Sequence, residues 1–202
     1  EQLQSDSYTV QKINIINAEL SQNSSSSITE RIIRQRFLLT VFYLDTDGDN
    51  WTFCSANGGY CGSSTPWLSG LRDHCSWYGI GCDSSDLVSS IDVQDNNLRG
   101  TLQNSTLFDE TFISIATINL SANRLHALAD NIDNLKNLKK LDLDHNYFYG
   151  EIPSSIYNLP DLRILDLHAN EFTGTISSTI NRLQNVETIL LHENNLSGEV
   201  PE

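Results

Sequence analysis

Acidic, imidazole and amide side chains recur from residue 92 onwards at spacings of 23 to 27 residues. Such groups attract cations and hydrogen-bond donors, and an imidazole gains a positive charge below about pH 6.5. If each group lies on one strand of a common sheet, strands about 4.8 Å apart bring the groups together into a ligand-binding face. The candidate binding residues are Asp92, Asn119, Asp142, Asp144, His145, Asp166, His168, His192 and Glu193.

The same side chains allow two other interpretations. Asp166, His168 and His192 can be imagined to bridge a metal ion, because carboxylates and imidazoles are both metal ligands. Polar side chains are also needed simply to solvate an exposed sheet, and this interpretation is favoured over a dedicated metal site. The sequence therefore predicts no metal and no cofactor, and it leaves a protein-binding face and a merely solvated face open.

An internal repeat positions these residues. Each of its five copies has an apolar-x-apolar strand, two further residues, an asparagine, one residue and another apolar residue. The asparagines are Asn96, Asn123, Asn146, Asn170 and Asn194. Because an amide both donates and accepts, each can satisfy backbone groups in a tight turn. The pattern predicts an α/β fold, a leucine-rich repeat solenoid with a parallel concave sheet.

Four of the five repeats continue after the asparagine with a glycine step, of which residues Gly150 to Pro153 are one full example. This step resembles the plant-type subclass of leucine-rich repeats, and the resemblance covers about residues 29 to 202. The second repeat departs from it, because Ala127 and Ala129 stand where Gly and Ile are expected, which weakens the case for an outer strand there. The longer spacing before that repeat predicts a bulging loop near residues 104 to 110.

Four cysteines lie before the repeats, in two pairs with six residues between the members of each. Zinc-binding cysteines are usually two to four residues apart, so the spacing favours disulfides and hence an oxidising compartment. The sequence alone allows three pairings. The stretch from Cys75 to Cys82 resembles the Cys-x-Trp-x-Gly-x-x-Cys signature of N-terminal caps on plant-type repeats. This resemblance implies a bond between those two cysteines and leaves Cys54 with Cys61.

A helix is predicted before the cysteines, where Ser27 and Glu30 form a capping box and the helical pattern continues to about Leu44. One face of this helix is expected to be buried, and the arginines are expected to lie on a solvated face. The buried stripe comprises Ile33, Phe37, Val41 and Leu44, and the solvated residues are Arg31, Arg34 and Arg36.

Three tryptophans in the same region have enough apolar area to cover the first repeat. We expect Trp51, Trp67 and Trp77 to form the core of a helical, disulfide-bonded N-terminal cap rather than to stack on a ligand. Together with the helix and the acidic segment before Trp51, they resemble the caps of leucine-rich repeat surface proteins from diatoms and related algae. The predicted domains are a polar extension over residues 1–26, the cap over 27–86 and five repeats over 87–202.

The composition excludes several classes of function. A formal charge of −14 disfavours binding to nucleic acid and to anionic membranes. No apolar run approaches the roughly 18 residues that cross a bilayer. The chain contains no Met, so we expect a removed leader or a piece of a longer protein, and with the cysteines this predicts an extracellular protein, secreted or at the cell surface. N-linked glycans are predicted at Asn23, Asn50, Asn104 and Asn195.

The sequence predicts a binding protein rather than an enzyme. It lacks Gly-x-Ser-x-Gly, a phosphate loop and His-Glu-x-x-His. The resemblance implies the same, because plant-type repeats in receptor ectodomains and in pectinase-inhibiting proteins bind rather than react. The predicted function is a non-catalytic module for protein–protein interaction that uses the acidic and histidine-bearing concave face.

Self-assembly into an extracellular filament is the alternative function. Residues 8–20 place β-forming residues in a polar background, and they can add as a strand to the open end of the next copy's last repeat, head to tail. Packing of the extension on its own cap, an end-to-end dimer and further repeats also remain open. The predicted assembly residues are Val10, Ile13, Ile15, Leu183, Val186, Leu196 and Val200.

Overall fold

The computed structural model describes residues 28–70 and 73–201 of the 202-residue chain. Within these ranges one helix, α1 (Ile28–Asp45), precedes ten short strands. The predicted extension over residues 1–26 lies outside the described residues, as do Val10, Ile13, Ile15 and Asn23. The strands are β1 (Ile80–Cys82), β2 (Val88–Asp92), β3 (Arg99–Leu102), β4 (Thr117–Asn119), β5 (Arg124–Leu128), β6 (Lys140–Asp142), β7 (Tyr149–Glu151), β8 (Ile164–Asp166), β9 (Glu171–Thr173) and β10 (Thr188–Leu190).

One strand from each repeat joins the main sheet, whose order is β1-β2-β4-β6-β8-β10. Strand β1 is antiparallel to β2, and the others are parallel and in register, so that Ile118 pairs with Leu141 and Leu141 with Leu165. Two outer pairs, β3–β5 and β7–β9, lie on the other side of the core. This architecture confirms the predicted leucine-rich repeat solenoid with a parallel sheet.

A ladder of asparagine amides holds the turn that follows each main-sheet strand. Asn123 Oδ1 accepts hydrogen bonds from the amides of Asn96 and Leu98, and its Nδ2 donates to the carbonyls of Val93 and Leu120. The residue before each asparagine adopts a left-handed conformation, with φ between 48° and 55°. Since such a conformation costs a non-glycine residue on the order of 1–3 kcal/mol, the amide ladder must compensate for it in every repeat. The structural role predicted for these asparagines is confirmed.

The second repeat has an outer strand, so the weakness predicted there is wrong. Strand β5 pairs with β3 over Arg99 to Leu102, although alanines stand where Gly and Ile were expected. Ala127 adopts φ 50° and the pairing register shifts by one residue after Thr101, which accommodates the alanine. Pairing of this kind depends on main-chain groups, so the outer strand tolerates the altered side chains.

The loop before the second repeat packs against the cap instead of bulging into solvent. It contains a 3₁₀ helix, Thr106–Phe108, in which Leu107 and Phe108 are fully buried. Thr106 Oγ1 donates a 2.9 Å hydrogen bond to the carbonyl of Leu38 in α1. The extra residues therefore form part of the junction between cap and solenoid.

Helix α1 has the predicted position, but the predicted buried stripe is wrong for Ile33 and Leu44, while Phe37 and Val41 are half-buried. Ile33 and Leu44 are 47% and 45% exposed, whereas the buried residues are Gln35, Leu38, Leu39, Phe42 and Tyr43. Gln35 explains why a different face of the helix is buried. Its Nε2 donates to the carbonyl of Thr111 and its Oε1 accepts from the amide of Val88, each at 2.9 Å. A pattern of apolar residues cannot detect a polar residue that is buried because it is fully hydrogen-bonded.

Not all of the arginines of α1 are solvated. Arg36 Nη2 donates a 2.7 Å hydrogen bond to the carbonyl of Ser69, and its guanidinium lies 5.2 Å from the ring centroid of Trp77. Arg34 is exposed and forms a 3.4 Å ion pair with Asp109. Arg36 thus ties the helix to the rest of the cap, contrary to its predicted place on a solvated face.

The cap is built around tryptophans and two disulfides, as predicted. The bonds join Cys54 to Cys61 and Cys75 to Cys82. Trp51, Trp67 and Trp77 are at most 4% exposed, and they pack together with Phe42 and Tyr43 of α1. The helix of the described residues is not sufficiently long and apolar to cross a membrane.

Candidate functional site

Six of the predicted binding residues meet where β6, β8 and β10 lie side by side. Asp142 on β6 is the Cα partner of Asp166 on β8, and Asp166 is the partner of Leu190 on β10. The turns that follow these strands carry the remaining members. We call this group the concave cluster, and it consists of Asp142, Asp144, His145, Asp166, His168 and His192.

His168 is the centre of the concave cluster. Its Nδ1 lies 2.6 Å from Asp166 Oδ1, and its Nε2 lies 3.8 Å from Asp144 Oδ2. The same oxygen of Asp144 contacts Nδ1 of His145. The His168 ring therefore contacts two carboxylates, and the Asp144 carboxylate contacts two imidazoles. These shared contacts link the turns of neighbouring repeats into a single polar network.

The three imidazole rings of the cluster pack on each other in two different ways. The rings of His168 and His192 are stacked, 4.5 Å apart and 10° from parallel. The rings of His145 and His168 lie 4.8 Å apart at 87°. The strand repeat imposes this proximity, because the turns after β6, β8 and β10 have the same conformation.

The pKa values of Asp142 and Asp144 in the cluster are shifted in opposite directions. Burial, together with a hydrogen bond to Asp144, raises the pKa of Asp142, although the Lys140 ammonium 3.0 Å away opposes this effect. Burial also acts to raise the pKa of Asp144, but hydrogen bonds from Asp142 and His145 and the charge of His168 outweigh it, so this pKa is lowered. Asp144 is thus the carboxylate and Asp142 the group that more readily holds a proton.

We expect the protonated form of His168 to persist above the usual pH range of an imidazole. The hydrogen bond to the Asp166 carboxylate raises the pKa of His168, and the charges of Asp144 and Glu193 add to this effect. The ordinary value is about 6.5, so the stabilising contribution is fully present below that pH and is lost as pH rises through the higher folded value. The check is an NMR titration of the imidazole resonances.

Asp166→Asn should lower the His168 pKa in that titration, because the hydrogen-bonded carboxylate is removed. Glu171→Gln, which removes an exposed carboxylate from the outer strand β9, should leave it unchanged. A wild-type value at or below the ordinary one, or equal responses to the two variants, would contradict the assignment.

Three further predicted binding residues lie outside the cluster. Asp92 is exposed at the cap end of the sheet, where burial of Tyr78 raises the pKa of that phenol and the charge of Asp92 adds to the effect. Asn119 is buried, and its Oδ1 accepts hydrogen bonds from the amide and the hydroxyl of Ser121. Glu193 is exposed beside His168. Asn119 is therefore occupied by a local turn, whereas Asp92 and Glu193 face solvent.

The strand pattern of the sequence places Leu190 on this surface, but sequence reasoning missed Lys140 and Ile164, which help to make the surface mixed rather than purely acidic. Lys140 forms the 3.0 Å ion pair with Asp142, and the half-buried Ile164 and Leu190 lie on the same side of β8 and β10 as the acidic residues. The alternation of inward and outward positions could have found them, since residues two apart on a strand share a face.

The residues predicted for assembly and for glycosylation differ in exposure. Leu183 is 5% exposed and packs in the core, Val186 and Leu196 are half-buried, and Val200 is 79% exposed. The predicted glycan acceptors Asn50, Asn104 and Asn195 are all exposed. Assembly and glycosylation both stay predictions.

Known proteins share the repeats of this chain. A family model described as a leucine rich repeat matches residues 113–172. Phytosulfokine receptor 1 of Arabidopsis thaliana is 38% identical over 92 residues, which are 44% of this chain and 9% of that protein. MDIS1-interacting receptor like kinase 1 of the same plant is 31% identical over 85 residues, which are 42% of this chain and 8% of that protein. The chain therefore has the leucine-rich repeat fold, and its repeats are similar to those of plant receptor proteins.

Solved structures extend the similarity of this leucine-rich repeat protein to most of the chain. A chain of the BIR3–SERK2 complex from Arabidopsis thaliana matches with a TM-score of 0.63 and 26% identity over 80% of this chain and 85% of that one. The ectodomain of the Arabidopsis receptor kinase HAESA, solved with a peptide hormone ligand, matches with a TM-score of 0.68 and 27% identity over 84% of this chain and 26% of that one.

The plant relatives are much longer proteins. The chain spans between 8% and 14% of the length of the curated relatives it matches, and the kinases among them match only in their leucine-rich repeat region. Their similarity therefore concerns the repeat module and not the kinase domain. The narrower resemblance of the cap to algal surface proteins stays a prediction.

Proposed function

We propose that this leucine-rich repeat protein is an extracellular, non-catalytic module that binds a protein partner through its concave sheet. The concave cluster carries the proposal, because it places carboxylates and imidazoles of three repeats on one surface beside the apolar side chains of Ile164 and Leu190. Mixed polar and apolar surfaces of this kind are typical of protein interfaces. The HAESA ectodomain, a structural relative, has been solved with a peptide hormone and with the co-receptor SERK1.

The chemistry of the cluster selects the kind of partner. Carboxylates outnumber the one lysine on this face, so a segment that carries Arg or Lys beside an apolar residue is electrostatically complementary. The two disulfides of the cap support an oxidising, extracellular setting. The chain's formal charge of −14 is compatible with such a cationic partner.

Removal of two concave carboxylates should weaken binding by at least about tenfold, since charged hydrogen bonds at an interface are worth 1.4 kcal/mol or more. The test selects peptides from a random phage library on the wild-type chain and measures their affinity for an Asp142→Asn/Asp166→Asn variant. The matched control is Glu151→Gln/Glu171→Gln, which makes the same change in charge on the paired outer strands β7 and β9.

The control variant should bind the selected peptides within about twofold of wild type, because it alters net charge equally but leaves the concave face intact. Thermal unfolding of each variant verifies that the fold is retained. Equal losses in the two variants would show a general charge effect, and a loss confined to the control would place the interface on the outer strands. Either result would overturn the proposal.

Filament assembly is the alternative function. Among the described residues, it is supported by incompletely buried apolar side chains in the fifth repeat. Val186 and Leu196 are half-buried, and Val200 is exposed. Sedimentation of the full chain and of a chain without residues 1–26 separates the two functions. A monomer in both forms contradicts assembly.

A further inference from the structure

Three side chains of the concave cluster bring potential metal ligands close together. Asp144, His145 and His168 each offer one ligand atom, and these three atoms lie within 4.8 Å of one another. Two imidazoles and one carboxylate suit zinc and neighbouring transition ions, whereas calcium and magnesium prefer oxygen ligands alone. Another close group among the described residues, His74 with Cys75 and Cys82, has its sulfurs in a disulfide and so offers no thiolate.

The orientation of the two imidazoles fits one shared ion. A metal lies in the plane of each imidazole that binds it, so two ligating rings need planes that intersect near the ion. The rings of His145 and His168 are at 87° and their centroids are 4.8 Å apart. Zinc–nitrogen bonds of about 2.0–2.1 Å place the centroids of two rings on a tetrahedral ion about 5 Å apart, which is close to the observed separation.

The other nitrogen of His168 already has the partner that a metal-bound imidazole needs. Its Nδ1 lies 2.6 Å from Asp166 Oδ1, so Nδ1 keeps its proton in the neutral ring, and Nε2, once it has lost its own proton to an incoming ion, has a lone pair directed towards Asp144. Metal-binding histidines usually donate their second N–H to a carboxylate, which fixes the tautomer and increases ligand basicity. Nε2 lies 3.8 Å from Asp144 Oδ2, and tetrahedral zinc ligands are about 3.4 Å apart, so this pair needs a shift of only a few tenths of an ångström. His145 Nδ1 now contacts the same oxygen directly, so its ring must move away from Asp144 to admit the ion.

His192 is close to this group but has the wrong orientation. Its ring is within 10° of parallel to that of His168, with the centroids 4.5 Å apart. Parallel stacked planes do not meet at a common ion, so His168 and His192 cannot both ligate it in this arrangement. The geometry therefore differs from the bridge of Asp166, His168 and His192 considered from the sequence. Asp166 contacts the other nitrogen of His168, and His145, not His192, is the second imidazole of the group.

We propose that Asp144, His145 and His168 bind one divalent transition-metal ion of the zinc type, with Asp166 as the positioning residue behind His168. His145 has a side chain that is 59% exposed, so the ion is accessible from the concave side and its fourth ligand is water or a donor from a bound molecule. Protons compete with the ion for the ligand nitrogens of imidazoles in general, and binding therefore weakens as pH falls. This inference does not depend on the proposed protein partner.

Calorimetric titration of the tag-free chain with Zn²⁺ alone, near pH 7.5, tests the site. We expect one ion per chain, and His145→Gln and His168→Gln should each weaken binding at least about tenfold, because each removes a direct ligand. His192→Gln is the matched control and should stay within about twofold. Asp166→Asn should weaken binding about 10–100-fold and change the His168 tautomer seen in its imidazole ¹⁵N shifts.

Two results would overturn the proposal: the absence of one-to-one binding, or a loss in His192→Gln as large as in His145→Gln. An NMR titration of the wild-type chain with Zn²⁺ gives a check that does not depend on folded variants. It should shift the imidazole resonances of His145 and His168 and leave those of the distant His126 in place, and equal shifts at all histidines would also contradict the site. Because no partner protein is used, failure here leaves the proposed function standing.

Discussion

Replacement of Asn123 by alanine should lower the free energy of unfolding by about 4 kcal/mol, since buried backbone groups left without a partner cost about 1–3 kcal/mol each. The amide of this residue accepts from the backbone of Asn96 and Leu98 and donates to the carbonyls of Val93 and Leu120. The side chain is 6% exposed, so water cannot replace these bonds. Guanidinium unfolding measures the loss as a shift of the midpoint at constant slope.

The matched control is Asn185→Ala. Asn185 is exposed and donates a single 2.8 Å hydrogen bond to the carbonyl of Pro160, so its loss should cost no more than about 1 kcal/mol. If the two variants lose the same free energy, the asparagine ladder does not stabilise the turns, and the left-handed residues before each asparagine must be held by packing alone.

The ladder also explains why the fold was predictable from the sequence. A buried asparagine must recur at every turn, and inward apolar residues must recur on every strand, so both leave a periodic pattern. The cysteines and tryptophans of the cap were informative for a related reason: few residue types can form covalent bonds or cover a large apolar end. These features depend on residue type and spacing, which a sequence displays directly.

The errors in the prediction of the cap come from interactions that residue type does not reveal. Gln35 looks like a surface residue, yet it is fully buried because Thr111 and Val88 satisfy its amide. The segment around Thr106 looks like a loose insertion, yet it buries Leu107 and Phe108 against α1. In both cases the deciding partner is about 50 to 80 residues away in sequence, and only the folded chain brings the two together.

The candidate site was predictable in its membership but not in its geometry. Strand register places Asp142 beside Asp166, and the spacing of the repeats places the histidines in adjacent turns. Whether two imidazoles stack or stand perpendicular depends on side-chain rotamers, and those depend on the neighbouring carboxylates. His145 illustrates this: the equivalent position is an alanine in the repeats before and after it, yet its ring is perpendicular to that of His168 and close to Asp144.

Trp67→Ala should be the most damaging single change in the cap, with a loss of about 3–5 kcal/mol expected from a large-to-small change in a core. Trp67 is 1% exposed, and its ring centroid lies 4.9 Å from that of Trp51 and 5.3 Å from that of Trp77. Its Nε1 also donates a 2.9 Å hydrogen bond to the carbonyl of Tyr78, which the variant leaves unpaired. Guanidinium unfolding followed by circular dichroism measures the effect.

Tyr60→Ala is the control, because Tyr60 belongs to the loop closed by Cys54 and Cys61 but is 79% exposed. Its loss should stay within about 0.5 kcal/mol of zero. The slope of the transition distinguishes two roles of the cap. An unchanged slope for Trp67→Ala means that cap and repeats unfold as one unit, as expected from the bonds of Gln35 and Thr106 across the junction. A reduced slope with a small shift of the midpoint would contradict this coupling, since the solenoid would then remain folded without its cap.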